Sequence, residues 1–344
     1  MNRFIDTLLG QCPDRPPVWM MRQAGRYLTE FREERAKTPD FMRFCHDIDA
    51  VVRVTLQPFK RFDLDAAIIF SDILTIPYAM GHNVRFIKGE GPILDKPLTP
   101  GNALRNLQDD QLTFVMQGIH ATRQTMNEQD MEHIPLLGFS ATPWTLMCYL
   151  MEGTGSKQGF HKAQGALKEH PHWCHSIAKA LNTYIIDYVL RQVGAGANAI
   201  MLFDSWASLV PQSLYESIFI PCQEQLIHHI HQHTDVPVVL FAKEANTHLD
   251  YLVQTGADGL SVGLDHDIPT LCQQYPHVTW QGNLDPDLLK HGHLTDIDQA
   301  IDAMLPQEPA RYIANLAHGI RPETPVDHVS HFVQRVVNHQ WTTI

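Results

Sequence analysis

Short apolar runs recur along the chain, and each is followed by a polar or glycine-containing segment. Eight such runs can be counted. They are VWMM (18–21), AAIIF (66–70), PLLGF (135–139), AIMLF (199–203), VPVVLFA (236–242), GLSVG (259–263), VTWQG (278–282) and YIANLA (312–317). Their apolar residues occupy consecutive rather than alternating positions, which is typical of strands buried on both faces of a sheet.

Helical patterns lie between most of these runs, as in 175–193 and 214–230. Alternating strands and helices predict an α/β protein with a parallel sheet. We therefore predict a single (β/α)8 TIM-type barrel over residues 1–344, in one domain, with a doubly wound open sheet as the alternative. Since catalytic residues of such barrels lie where the strands end, we expect the active site at the C-terminal mouth.

Two further elements are predicted outside this repeat. The segments VRFI (84–87) and GPIL (91–94) flank a short polar stretch and indicate a small hairpin. Near the N-terminus, Phe4, Leu8 and Leu9 have helical spacing and predict a helix that docks on the barrel.

The composition limits which binding partners and which cellular compartment we expect for this protein. The 26 basic and 38 acidic residues give a net charge of −12, which argues against nucleic acid or an anionic membrane as partner. No apolar stretch reaches the roughly 18 residues that a membrane span needs. The six cysteines are far apart and form no CxxC pair, so we expect reduced thiols and a cytoplasmic protein.

Arginines follow the first apolar run, in the segment RQAGRYLTEFREER. Arg22 and Arg26 are four residues apart and would share one face of a helix, while Gly25 would allow a ligand to approach the backbone. A guanidinium group binds carboxylates in a bidentate manner, so these residues predict a carboxylate clamp. The alternative is an ion-paired surface helix.

An acidic residue, Asp72, follows the second run. It could cap the next helix, or it could stand at the mouth as an anion that accepts hydrogen bonds from N–H donors. In the second case we expect nearby arginines to lower its pKa and to keep it ionised.

Three other side chains at the predicted mouth are candidates for binding. Tyr149 follows the third run, Ser205 the fourth and His318 the eighth. A core tyrosine and a structural histidine are the alternatives for Tyr149 and His318.

We find no pattern that predicts a metal, a nucleotide or a covalent nucleophile. His229 and His233 lie four residues apart in HHIHQH (228–233), but we expect them on an outer helix before the fifth strand. Residues 172–174 read HWC, with no third ligand in view. The chain has no GxGxxG motif, no phosphate-binding loop GxxxxGK[ST], and no spacing typical of a serine or cysteine nucleophile.

Several longer motifs carry a family resemblance. They are PVWMMRQAGRYLTEFRE, IIFSDILTIPYAMG, GFSATPWTLMCYLMEG, FDSW, QGNLDP and NLAHGIRPETP. In this order, and over nearly the whole chain, they resemble the uroporphyrinogen decarboxylase family.

The resemblance implies a (β/α)8 barrel that forms a homodimer. It implies a carboxy-lyase of haem and porphyrin biosynthesis, which removes CO₂ from the four acetate side chains of uroporphyrinogen III to give coproporphyrinogen III. No metal or organic cofactor is implied. The implied substrate-binding residues are Arg22, Gln23, Ala24, Gly25, Arg26, Asp72, Tyr149, Ser205 and His318. Asp72, which would bind the pyrrole N–H groups, and Arg22 are the implied catalytic residues. The proton donor stays open between Arg22, His318 and Tyr149.

The chain departs from the family pattern at Tyr78, Ser208, Glu244 and Ala317. Two other functions remain open. One is a cobalamin-dependent methyltransferase of the same fold, whose zinc ligands are missing from FAKEAN (241–246) and NLAHG (315–319). The other is a tetrapyrrole carrier without catalysis, which would have no need of Asp72.

Overall fold

The computed structural model describes residues 2–87, 89–155, 159–244 and 248–341. The strands in these ranges are β1 (Ala67–Ile68), β2 (Val84–Ile87), β3 (Gly91–Leu94), β4 (Leu136–Ala141), β5 (Ala199–Asp204), β6 (Val238–Ala242), β7 (Gly259–Ser261), β8 (Thr279–Leu284) and β9 (Tyr312–Leu316).

Sixteen α-helices surround the strands in the same ranges. They are α1 (Arg3–Leu8), α2 (Thr29–Lys37), α3 (Phe41–His46), α4 (Ile48–Leu56), α5 (Thr75–Ala79), α6 (Thr113–Glu128), α7 (Pro143–Glu152), α8 (His161–Glu169), α9 (Pro171–Gly194), α10 (Gln212–Leu214), α11 (Ile220–His233), α12 (Leu249–Leu252), α13 (Ile268–Gln274), α14 (Pro286–His291), α15 (Leu294–Met304) and α16 (Val326–Val337). A π-helical turn, Tyr215–Phe219, joins α10 to α11.

Seven strands form one curled parallel sheet in the order β1-β4-β5-β6-β7-β8-β9. The α/β class and the parallel sheet are thereby confirmed. Strand order follows chain order, whereas a doubly wound sheet reverses its order at a switch point, so that alternative is wrong. The residues of β4, β6, β8 and β9 are all buried, as the consecutive apolar positions predicted.

The first apolar run lies between the two edges of this sheet. Val18 makes a parallel bridge with Ala314 of β9. Its carbonyl oxygen also accepts a hydrogen bond from the N–H of Asp65, two residues before β1, at 2.8 Å. The run therefore bonds to β9, through one bridge position, and to the segment just before β1, and it does not itself form a strand.

The hairpin prediction is confirmed with its bounds. β2 pairs with β3 in antiparallel register, from Val84 opposite Leu94 to Ile87 opposite Gly91.

Helix α1 covers the end of the sheet where the strands begin. The hydroxyl of Thr279, the first residue of β8, donates to the Thr7 carbonyl at 2.9 Å. Phe4 packs edge-on against Trp19, with 6.4 Å between ring centroids. Phe4 and Leu8 are buried as predicted, but Leu9 is 59% exposed, so its predicted docking is wrong. Because α1 covers this end, only the opposite end of the sheet remains for a mouth.

No helix in the described ranges combines the length and the hydrophobicity that a membrane span requires.

Candidate active site

The loop after the first apolar run is held by the buried side chain of Gln23. Its Oε1 accepts from the Met20 N–H and its Nε2 donates to the Ala66 carbonyl, both at 3.1 Å. The Tyr27 hydroxyl donates to the Gln23 carbonyl at 2.9 Å. The Gln23 side chain thus fixes the loop beside β1, while Arg22 and Arg26 remain exposed.

Arg22 and Arg26 lie in turns, since α2 begins only at Thr29. The shared face, expected if the segment were helical, is therefore not formed. The two guanidinium groups still lie close enough for the charge of Arg26 to lower the pKa of Arg22. Gly25 is necessary for this turn, as a Cβ there would lie 2.7 Å from the Arg22 carbonyl oxygen.

The position of the Arg22 side chain is strongly constrained. Its backbone has a φ of 64°, in the left-handed region that few residues other than glycine adopt. The guanidinium is solvent-accessible but deep between protein walls, so burial lowers its pKa, and the charges of Tyr149 and Asp72 partly oppose this. Arg22 is thus a cation inside a concave site rather than on an open surface.

Asp72 stands four residues after β1, half-buried at the same mouth. Its Oδ1 accepts a hydrogen bond from the Leu74 N–H at 2.8 Å, just before α5 begins. Burial raises the pKa of Asp72 to about 6, and the Leu74 N–H and Arg22 lower it by less. The expectation that arginines would keep this pKa low is therefore wrong in its net direction, because desolvation is the larger effect.

Tyr149, on α7, points its phenol toward Asp72 and Arg22. Burial is the main effect on the pKa of Tyr149 and raises it to about 12. The charge of Asp72 also raises this pKa, whereas the Trp206 side chain and the charge of Arg22 lower it. The ring also packs edge-on against Phe160, with 5.1 Å between centroids. Tyr149 is thus a buried aromatic whose hydroxyl belongs to the charged cluster at the mouth.

Ser205 follows β5 and is tied to α7. Its N–H donates to the Thr145 hydroxyl at 2.9 Å, and that hydroxyl donates to Asp204 at 3.2 Å. Asp204 also accepts from the Tyr215 hydroxyl and from Gln223 Nε2, each at 2.8 Å. Burial raises the pKa of Asp204 to about 6. Sequence reasoning did not assign Asp204, although it too is an acid directly after a buried run.

His318 lies just after β9, among residues that sequence reasoning missed. Its Nε2 is 3.4 Å from Nη2 of Arg321, and its Nδ1 is 3.2 Å from the Gly319 carbonyl oxygen. Burial lowers the pKa of His318, and the charges of Arg321 and Lys243 lower it further, while Asp287 raises it. The only sequence signal for Arg321 was its place in the quoted motif NLAHGIRPETP.

Two of the departures from the family pattern fall at this mouth. Glu244 has a φ of 53°, so it adopts the left-handed conformation that suits the glycine expected there. Ala317 is buried, and its N–H donates to the Leu284 carbonyl at 2.8 Å. Of the other two, Tyr78 packs edge-on against His46, and Ser208 is exposed in the loop after β5.

The two histidine patterns do not assemble ligands. His229 and His233 stack on the exposed side of α11, with 4.4 Å between ring centroids, and His172 and Cys174 lie in the first turn of α9. Within the described ranges, no three His, Cys, Asp or Glu side chains are grouped as a metal would require. The segment 245–247, part of the FAKEAN stretch, lies outside those ranges.

The mouth therefore presents Asp72 beside Arg22, with Arg26 close to Arg22. Two further cations near His318 have carboxylate partners of their own: Arg321 pairs with Asp287 and Lys243 with Glu244. Such an arrangement can bind a ligand with several carboxylates, while Asp72 accepts N–H groups or offsets a developing cation.

Comparison with known proteins agrees with this chemistry. The family model described as uroporphyrinogen decarboxylase matches residues 1–339. Relatives named uroporphyrinogen decarboxylase include one from Nitrosococcus oceani, 38% identical over 97% of this chain and 95% of its own length. Another, from Idiomarina loihiensis, is 36% identical with the same coverage of both chains.

Among solved structures, a methyltransferase from Methanosarcina mazei superposes with a TM-score of 0.78 over 96% of each chain, at 18% identity. A B12-independent methionine synthase from Shewanella gives a TM-score of 0.54 at 11% identity, covering 86% of this chain and 88% of its own. At such identities the similarity shows a shared fold and carries nothing about activity.

Proposed function

The chain belongs to the uroporphyrinogen decarboxylase family, and we propose that its mouth carries out the carboxy-lyase reaction on uroporphyrinogen III. Four acetate side chains each lose CO₂ and become methyl groups, which gives coproporphyrinogen III. The observation that carries this proposal is the cluster of Arg22, Asp72 and Tyr149, whose side chains influence one another's pKa in a concave site.

The chemistry requires an electron sink, because losing CO₂ from an acetate would otherwise leave a carbanion. Protonation of the pyrrole carbon next to the acetate makes the ring cationic. The C–C bond to the carboxylate then breaks, and its electron pair moves into the ring and leaves an exocyclic methylene. A proton adds to the methylene, and the ring carbon loses its proton. Each turn consumes one net proton, and the substrate itself fills the role of a cofactor.

Asp72 suits the stabilisation of this cation. Its carboxylate is held through Oδ1 by the Leu74 N–H and stands beside Arg22. Pyrrole N–H groups that converge on it would place the developing positive charge next to a fixed anion, in a site where desolvation strengthens the attraction. A carrier without catalysis would have no use for a desolvated anion facing its ligand.

Arg22 and Arg26 suit the binding of side-chain carboxylates through bidentate hydrogen bonds. Gly25 permits the turn, and the buried Gln23 holds it, so we propose that Gln23, Ala24 and Gly25 contribute through the shape of this loop. Tyr149 on α7, Ser205 after β5 and His318 after β9 complete the proposed substrate contacts.

We further propose that the run 18–21 closes the sheet into an eight-stranded barrel within one domain, 1–344. Hydrogen bonds of Pro17 and Trp19 with Ala314 of β9, and of Val18 with Asp65 just before β1, support closure. A homodimer in the cytoplasm is the assembly and location that we propose from the family. The reaction as proposed involves no metal or organic cofactor.

Anaerobic incubation with uroporphyrinogen III tests the function. Products are oxidised and separated by their number of carboxylates. We expect a series from eight carboxylates down to four. If folded protein leaves only the eight-carboxylate species, the proposed function is wrong, and stoichiometric zinc in that protein would then favour the methyltransferase.

A further inference from the structure

An ion pair beside His318 is built with two parallel hydrogen bonds. Asp287, in the first turn of α14, accepts from Nε of Arg321 at 2.7 Å and from Nη2 at 2.6 Å. This bidentate geometry fixes the plane and the direction of the guanidinium. Arg321 therefore approaches His318 in a defined orientation.

The contact between Arg321 and His318 restricts the protonation of the imidazole. Arginine carries donors only, so Nη2 can approach His318 Nε2 at 3.4 Å only if that nitrogen presents a lone pair. An imidazolium would place N–H against N–H. On the other side of the ring, Nδ1 is 3.2 Å from the Gly319 carbonyl oxygen, which can accept a hydrogen bond only from a protonated Nδ1.

We propose that Asp287 and Arg321 are positioning residues that hold His318 as a neutral imidazole with its proton on Nδ1. His318 is then a fixed hydrogen-bonding element of the mouth, and it is not the acid that protonates the pyrrole. This last consequence rests on the proposed function, whereas the state of the imidazole does not.

The net electrostatic effect on His318 also favours the neutral ring. Burial lowers its pKa most strongly, and the charges of Arg321 and Lys243 lower it as well. The hydrogen bond to the Gly319 carbonyl and the charge of Asp287 raise the pKa by less, so the net shift is downward.

The proposal also connects this ion pair to the reacting centre. Gly319, whose carbonyl oxygen accepts the hydrogen bond from Nδ1, packs against the Arg22 side chain. A ring flip or a change of tautomer in His318 would therefore disturb Gly319 and the position of the Arg22 side chain. With His318 assigned to positioning, Arg22 and Tyr149 remain as candidates for delivering the proton.

Nitrogen-detected NMR of the ligand-free protein with ¹⁵N-labelled histidine tests the proposal. The signal that His318→Gln removes identifies the residue. We expect the wild-type ring to be neutral at neutral pH, with its proton on Nδ1. In Arg321→Gln we expect a mixture of tautomers, and a titration midpoint that rises toward the ordinary value of about 6.5.

Asp287→Asn is a second variant, which keeps Arg321 but weakens the ion pair that orients it. It tests the proposal if Arg321→Gln fails to fold. We expect a mixture of tautomers here too, in smaller degree. The loss of the Asp287 charge by itself lowers the pKa of His318, so the tautomer ratio, and not the titration midpoint, is the readout of this variant. Glu323→Gln is the matched control, since it breaks the exposed pair with Lys290, 2.9 Å apart, between the same two segments. It should leave the His318 signal unchanged.

A wild-type imidazolium at neutral pH, or a His318 signal unaltered in both Arg321→Gln and Asp287→Asn, would overturn the proposal. Because no substrate is present, this result is independent of turnover. A protein without decarboxylase activity could still show the neutral imidazole, which separates failure of this inference from failure of the proposed function.

Discussion

Gly319 lies so close to Arg22 that no larger residue fits between the end of β9 and the arginine. A Cβ built on Gly319 would be 2.5 Å from Cδ of Arg22 and 2.7 Å from its Nε. The contact therefore joins the loop that carries Arg22 to the end of β9. The Gly319 backbone limits the positions that the Arg22 guanidinium can take.

This contact predicts a steric probe of the clamp. Gly319→Ala should displace the Arg22 side chain and lower kcat by about 100-fold, the order of loss that an error of 1 Å in positioning produces. Gly165→Ala, on α8, is the control, because its added Cβ would meet nothing within 4 Å. Steady-state kinetics with uroporphyrinogen III, alongside thermal unfolding, make the test. Equal activity in the two variants would contradict the close packing.

Replacing the arginines of the clamp should be costly even when the charge is kept. We expect Arg22→Lys to reduce kcat/KM by about 10- to 100-fold, since an ammonium cannot make two parallel hydrogen bonds to a carboxylate. Arg26→Lys should have a smaller effect because Arg26 is more peripheral.

A matched control for the clamp is Arg61→Lys. Arg61 makes a bidentate pair with Glu30 at the surface, and exposed pairs contribute little. Its kinetics should equal those of the wild type. Unchanged kcat/KM in both clamp variants would exclude the carboxylate role.

The pH dependence of Asp72 should be opposite for activity and stability. Its pKa is raised to about 6, so the ionised form needed for catalysis appears as pH rises through that value, and kcat/KM should rise with it. A raised folded-state pKa also means that the folded protein binds more protons than the unfolded chain. The contribution of Asp72 to the free energy of unfolding should therefore fall as pH rises between about 4 and 6.

Asp72→Asn separates these two effects. We expect turnover to be nearly abolished. The difference in the free energy of unfolding between wild type and variant should change between pH 4 and 6, because the variant lacks the Asp72 contribution while that of Asp204, whose pKa burial also raises to about 6, is common to both proteins. Urea unfolding at several pH values and product analysis measure the two quantities. Near-normal turnover in Asp72→Asn would refute its assigned role.

The Asp204 network predicts a stability change at a distance from the mouth. Tyr215→Phe removes one of the donors to a buried carboxylate and should cost about 1–3 kcal/mol in the free energy of unfolding. Tyr251→Phe is the control, as Tyr251 is 40% exposed. Denaturant titration compares them, and an equal midpoint for both variants would show that Tyr215 does not stabilise Asp204.

The sequence was sufficient for the layout of the elements. Consecutive apolar residues predicted the parallel strands, because a strand covered on both faces has no polar side. Turn residues between 87 and 91 predicted the hairpin, which forms with the expected bounds. Polar residues directly after apolar runs identified Asp72, Ser205 and His318, because the fold places the ends of parallel strands at one mouth.

Other features depended on the three-dimensional arrangement. The spacing of Arg22 and Arg26 indicated a helix, but the chain forms turns there, with Gln23 bonded to Ala66 across the loop. Asp72 and Asp204 look alike in sequence, each an acid after an apolar run, yet one faces the mouth and the other is enclosed by Tyr215, Gln223 and Thr145.

What the sequence determined by itself is the order of strands and helices and the family to which their motifs belong, since both are written in local patterns of residues. Only the tertiary structure decided the pKa values in the site and the positions of its side chains. The pKa of Asp72 depends on how much protein surrounds it, and the positions of Arg22 and His318 depend on Gly319 and Arg321. These properties arise from groups far apart in the chain or from desolvation, and local sequence encodes neither.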